Sequence, residues 1–174
     1  MSSIISANKR EDTKIKSLIS QLSNKNRKIR INARESLKLF GHKAVYQLSE
    51  LLVNKKKLIR WEAVKTLVEI SDPHSGSLFL LAIKDEDPGI RWLGAEGLIS
   101  LGKSGVLTIL EGLISNIDSL YVRKGAHHVL KEFSKKYSSP RLKKLISTLI
   151  KADSKFYSPM AALILLRELR EKQT

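Results

Sequence analysis

Two stretches of the chain, "LIRWEAVKTL" (residues 58–67) and "GIRWLGAEGL" (residues 89–98), read almost alike. Each carries Ile-Arg-Trp, a small residue three positions after the Arg and a Leu seven after it. Working outward from this pair, an Arg preceded by Ile or Val recurs at Arg30, Arg60, Arg91 and Arg123, spaced 30, 31 and 32 residues apart. Three positions on stand Ala33, Ala63, Gly94 and Ala126. Seven on stand Leu37, Leu67, Leu98 and Leu130, and ten on stand Phe40, Ile70, Leu101 and Phe133. At a step of about 100° per residue these positions and the aliphatic residue before each Arg share one helical face. The small residue lets a paired helix approach closely, and a large one there would overpack at a cost of roughly 1–3 kcal/mol.

Second amphipathic segments lie between these phrases: "AVYQLSELLV" (44–53), "SLFLLAIK" (77–84), "GVLTILEGLIS" (105–115) and "RLKKLISTLI" (141–150). A helix over 13–22 opens the series. One over 158–169 closes it, with Pro159 in the Arg slot and in a first helical turn, where a proline needs no N–H. Breakers such as "FGH" (40–42) and "LGKSG" (101–105) turn the chain within a pair, and "NKKK" (54–57) and "DEDPG" (85–89) connect one pair to the next. A lone helix pair cannot bury both apolar faces, so the motif recurs because the packing problem recurs.

The pattern resembles HEAT repeats, in the form of about 30 residues found in phycobilisome-lyase-like repeat proteins. Their phrase D-P-x-(V/I)-R-x-x-A is matched best by "DPGIRWLGA" (residues 87–95), with Gly94 where Ala is usual. The resemblance implies an all-α fold, an α-solenoid (superhelix) of about ten helices in HEAT-like hairpins. The expected organisation is a flexible basic N-terminus over 1–12 and one solenoid domain over 13–171. Repeats are expected at about 25–54, 55–84, 85–115 and 116–151, with half repeats at both ends.

Composition narrows the function classes. The chain has 174 residues, an apolar share of 42% and no cysteine, which excludes disulfides and cysteine-ligated zinc. The start lacks the apolar run of a signal peptide and no stretch reaches bilayer-spanning length, so a soluble cytoplasmic protein with no membrane association is expected. The net charge of +15 is unevenly spread. Residues 1–60 hold 15 Lys/Arg and 4 Asp/Glu, residues 61–118 hold 4 and 9, and residues 119–174 hold 13 and 4. An acidic middle suits poorly a protein that grips duplex DNA along its whole length.

The candidate residues follow from the repeat. In HEAT-like repeats the anchor Arg joins polar groups of the connecting turn, so Arg30, Arg60, Arg91 and Arg123 are expected to form a structural ladder with acids such as Asp87 and Asp118. Ile31, Trp61 and Trp92 occupy the slot after the Arg, about 160° from the middle of the apolar stripe. They either fill a seam between stacked first helices, the preferred reading, or form an exposed strip for a partner or a homodimer. Lys25, Arg27 and Lys28, with Lys55, Lys56 and Lys57, sit on equivalent turns of adjacent repeats. They are the candidate site for an anion or an acidic partner. A third basic run spans 135–144.

No metal, cofactor or catalytic set is legible. His127 and His128 are adjacent and project about 100° apart on a helix, which suits no shared ligand. The di-iron hydroxylases of this architecture use His-Glu pairs, and the chain has none. The expected role is a non-catalytic adaptor or scaffold for another protein with an acidic surface, as a monomer or a homodimer. The alternatives are a nucleic-acid-binding protein, including an alkylpurine DNA glycosylase-like one, and a bilin-lyase-like protein.

Overall fold

In the computed structural model the described residues are 2–171, and side chains are described from residue 9 onward. All regular structure among them is helical: ten α-helices and two short 3-10 turns. The chain divides into two compact units, one ending at Asp72 and the other beginning at Pro73.

The first unit contains α1 (Ser2–Gln21), α2 (Arg27–Lys38), α3 (His42–Glu50) and α4 (Lys57–Ile70). Helix α1 starts well before the expected Thr13 and takes in residues 2–12, which the sequence places outside the array. It packs on both α2 and α3, while α4 packs on α2 and α3. The interior is built from the repeat positions: Ala33, Leu37, Ala63 and Leu67 are fully buried, with Ile15, Ala44 and Leu48 from the partner helices and Leu22 from the turn after α1.

The second unit contains α5 (Gly76–Ala82), α6 (Pro88–Ser100), α7 (Lys103–Ser115), α8 (Leu120–Phe133), α9 (Pro140–Leu149) and α10 (Ser154–Glu171). Helix α6 packs on α5, α7 and α8, and α8 packs on α7 and α9. Leu98, Ala126 and Leu130 are fully buried, as the shared face requires. Gly94 has a specific reason to replace alanine. A Cβ there would lie 2.8 Å from the carbonyl oxygen of Phe79 and 2.8 Å from the amide nitrogen of Ile83, so α5 presses its backbone against α6.

The last helix departs from the expectation. It begins at Ser154, so Pro159 lies inside it and not in its first turn. Proline has no N–H to return to the carbonyl one turn back, at Lys155. Helix α10 also makes its main contacts with α7 and α9, which are second helices, although its sequence matches the first-helix phrase. Ala162, Leu165, Leu166 and Leu169 supply its buried face.

A recurring connector joins the pairs. Six residues before each of the first three anchors stand Asn24, Asn54 and Asp85. Their side chains accept the amide N–H of Asn26, Lys56 and Asp87, two residues on, at 2.8–2.9 Å. Four residues before the anchor is the N-cap, and Asn26, Asp87 and Ser119 each accept a backbone N–H of the following turn. Each such cap stabilises its helix by about 1 kcal/mol. Eleven residues after the anchor stand Gly41, Ser71 and Gly102, all with positive φ (54°, 54° and 58°). A left-handed residue lets the chain reverse into the next helix, and Gly does so without steric cost.

Candidate interaction surface

The four anchor arginines reach back to the connector that precedes them. Nη1 of Arg30 donates to the carbonyls of Asn24 (2.8 Å) and Lys25 (3.1 Å). Nη1 of Arg60 donates to Asn54 (2.9 Å) and Lys55 (3.4 Å). Nη1 of Arg91 donates to Asp85 (2.9 Å) and Glu86 (2.7 Å), and that of Arg123 donates to Ile117 (2.6 Å). These are the carbonyls six and five residues upstream, so each guanidinium staples its own turn. A charged donor on a backbone acceptor makes a strong hydrogen bond, of about 1.5–3 kcal/mol net.

The acids expected in this ladder behave differently. Asp87 caps α6, accepting from the N–H groups of Gly89 and Ile90 at 2.9 and 3.2 Å. Asp118 is a correction. It is exposed, its carboxylate joins no hydrogen bond among the described residues, and Ser119 caps α8 in its place. The physical reason is register. Asp87 stands four residues before its anchor, at the N-cap, whereas Asp118 stands five before and points outside the helix start.

The basic turns of the first unit lie at the N-terminal ends of α2 and α4. These helices run parallel, because Arg30 and Arg34 pair in the same order with Glu62 and Glu69. Lys25, Arg27 and Lys28 on one turn and Lys55, Lys56 and Lys57 on the other are all exposed. Parallel packing brings both turns to one edge. Helix N-termini carry partial positive charge, which adds to the field of the six side chains.

Beneath that edge the seam between α2 and α4 is ionic. Glu62 is almost fully buried and accepts from Arg30 Nε at 2.5 Å and Arg34 Nη1 at 2.7 Å. Arg34 also reaches Glu69 at 3.4 Å, and Lys65 lies 3.8 Å from the same carboxylate. The Arg34 guanidinium sits over the Trp61 ring, 6.0 Å from its centroid. Trp61 and Ile31 are both half-buried. The spacing of the charges carried this network, but it is invisible to a search for apolar periodicity.

Trp92 is different. It is 57% exposed and lines a shallow cleft of about 180 Å³ between α6 and α8. Arg91, Ala95, Tyr121, Lys124 and His128 form the rest of the wall, over Ile83 and Gly125. The Arg91 guanidinium stacks on the Tyr121 ring at 4.1 Å, and His128 Nε2 pairs with Glu96 Oε1 at 2.8 Å. The neighbouring His127 has its pKa lowered, first by burial and then by Lys131 and His128. Among the described residues no group of three or more His, Cys, Asp or Glu could hold a metal ion. Nor is any helix long and apolar enough to cross a membrane.

Comparison with known proteins agrees with this architecture. Residues 15–80 match the family description of HEAT repeats. A chain of the complex of CpcE and CpcF of phycocyanin lyase from Nostoc sp. PCC7120 has a similar structure, with a TM-score of 0.55. The similarity covers 88% of this chain and 97% of that chain at 22% sequence identity. No curated protein matches the sequence. The units are therefore all-α solenoid in kind, built of HEAT-like helical hairpins, and the chain resembles the phycobilisome-lyase type of repeat in fold.

Proposed function

We propose that this HEAT-repeat chain is a non-catalytic adaptor that binds another protein through an acidic surface. The observation that carries this reading is the basic edge of the first unit, where six exposed cations surround two parallel helix starts. Stacked repeats offer extended surfaces, and complementary charge raises the rate of encounter and sets the orientation of docking. The anchor arginines are occupied by their own turns, so the edge lysines carry the exposed charge.

A second reading, bilin-lyase-like, is supported by the fold likeness to a phycocyanin lyase chain and by the Trp92 cleft. Aromatic faces beside Arg91 and Lys124 suit a conjugated open-chain tetrapyrrole bearing carboxylates. The nucleic-acid alternative rests on the net charge and on the same basic edge, which also suits phosphate.

Affinity purification from the native host separates these readings. The wild type is compared with a variant carrying Lys25→Gln, Lys28→Gln, Lys55→Gln and Lys56→Gln. A protein retained after nuclease treatment by the wild type and lost with the variant is the expected outcome. Tight binding to duplex or single-stranded DNA or RNA whose affinity falls steeply with salt would replace the adaptor by a nucleic-acid binder. A co-purifying pigment lost with Trp92→Ala would transfer the case to the bilin reading.

A further inference from the structure

We infer that the outer groove between α9 and α10 is a docking site for an acidic amphipathic helix of a partner protein. The inference rests on reading the chain as a protein-binding module, but it uses a surface separate from the basic edge of the first unit.

Helix α10 is apolar on two faces. Its inner face is buried through Ala162, Leu165, Leu166 and Leu169. Its outer face presents Tyr157, Met160 and Ile164, which are 61%, 62% and 43% exposed. Positions i, i+3 and i+7 form one strip on a helix, the spacing with which helices pack on one another. Here the strip continues into a groove of about 490 Å³, walled on the α9 side by Arg141, Lys144 and Thr148. A trough lined by apolar residues at helical spacing is what an amphipathic helix fills with its own apolar face.

Charge selects among occupants. The residues lining the groove include two exposed cations, Arg141 and Lys144, and no carboxylate. Arg167 lies on the exposed side of α10, three residues after Ile164. Glu168, close by on α10, is buried; it accepts from Tyr137 Oη at 2.7 Å and lies 3.4 Å from Arg141 Nη1, while the exposed Asp153 and Glu171 stand beyond the two ends of the strip. A second copy of the chain would bring the same cations against their mates across a two-fold axis. An acidic helix satisfies both the apolar strip and the cationic wall.

The test uses the full chain and a fluorescent 18-residue peptide with Leu at helical i, i+3, i+4, i+7 spacing and Glu on its polar face. Controls are a scrambled peptide of identical composition and a version with Lys in place of Glu. Fluorescence anisotropy is expected to give at least tenfold tighter binding for the acidic amphipathic peptide than for either control. Met160→Glu with Ile164→Glu should weaken it at least tenfold with an unchanged thermal melt, since both residues are exposed. Should that pair fail to fold, Met160→Gln alone serves, with a smaller loss. The lysine-to-glutamine variant of the first unit should bind the peptide as the wild type does. Loss of peptide binding in that variant alone would overturn the groove and leave the adaptor reading standing. Equal binding of all three peptides would overturn it too. So would a wild-type dimer in light scattering that Met160→Glu dissolves, or binding to phosphatidylserine vesicles that the same change abolishes.

Discussion

The seam between first helices is closed in the first unit and open in the second. Between α2 and α4, Glu62 lies buried in a clamp of two arginines and Trp61 is covered by Arg34. Between α6 and α8, the pair of Glu96 and His128 is one-third or more exposed at each partner, and Trp92 lines a cleft. The repeat frame is the same in both. The difference comes from single slots. Four residues after the anchor the first repeat has Arg34 and the third has Ala95, so one seam has a long side chain to cover it and the other does not. A solenoid thus keeps its core positions fixed while the chemistry of its seams varies from one repeat to the next.

Removing each seam's carboxylate is the strongest way to break this comparison. Glu62→Ala removes the buried carboxylate between two largely buried guanidinium groups, leaving Arg30 its turn carbonyls and Arg34 its longer contact with Glu69, and is expected to cost about 3 kcal/mol. Glu96→Ala removes an exposed pair and is expected to cost less than about 1 kcal/mol. Urea denaturation of both variants checks the contrast. Equal losses would mean that the buried clamp is no more than a surface salt bridge.

The two tryptophans sharpen it further. Trp61→Ala removes a half-buried ring from under Arg34 and is expected to destabilise by about 2 kcal/mol, whereas Trp92→Ala should cost under about 1 kcal/mol. In single-tryptophan variants, acrylamide should quench Trp92 more efficiently than Trp61. Comparable quenching would remove the distinction between a closed and an open seam.

The smallest effect concerns His127 on α8, next in sequence to the His128 that lines the cleft. Its folded pKa lies below the usual 6.5, so the fold favours the neutral ring. The unfolded chain then binds the proton more readily, and stability is complete above about pH 6.5 and declines as pH falls below it. Thermal melts between pH 7.5 and 5.5 should show this decline, and His127→Asn should make it shallower. A wild-type melting temperature that rises on acidification would contradict the sign.

Much of the repeat was legible in the chain alone because its signals are local. The apolar stripe, the anchor arginine and the small residue follow from helical geometry. The connector was legible too, though it needed a different search: Asn24, Asn54 and Asp85 share one slot, and so do Gly41, Ser71 and Gly102. Asp118 misled because a carboxylate one residue out of register loses the N-cap position. The groove on α10 was half legible, since Tyr157, Met160 and Ile164 have helical spacing, but that spacing cannot tell an outer face from an inner one.

By itself the sequence determined that this protein stacks helical hairpins of about thirty residues, because each hairpin must bury a face it cannot cover alone. Only the tertiary structure decided that α10 packs on α7 and α9, that Glu62 is clamped while Trp92 stays in solvent, and which apolar strip is left uncovered. Those outcomes depend on side chains that meet across helices about thirty residues apart. The space between the helices is set by packing, and no local periodicity encodes it.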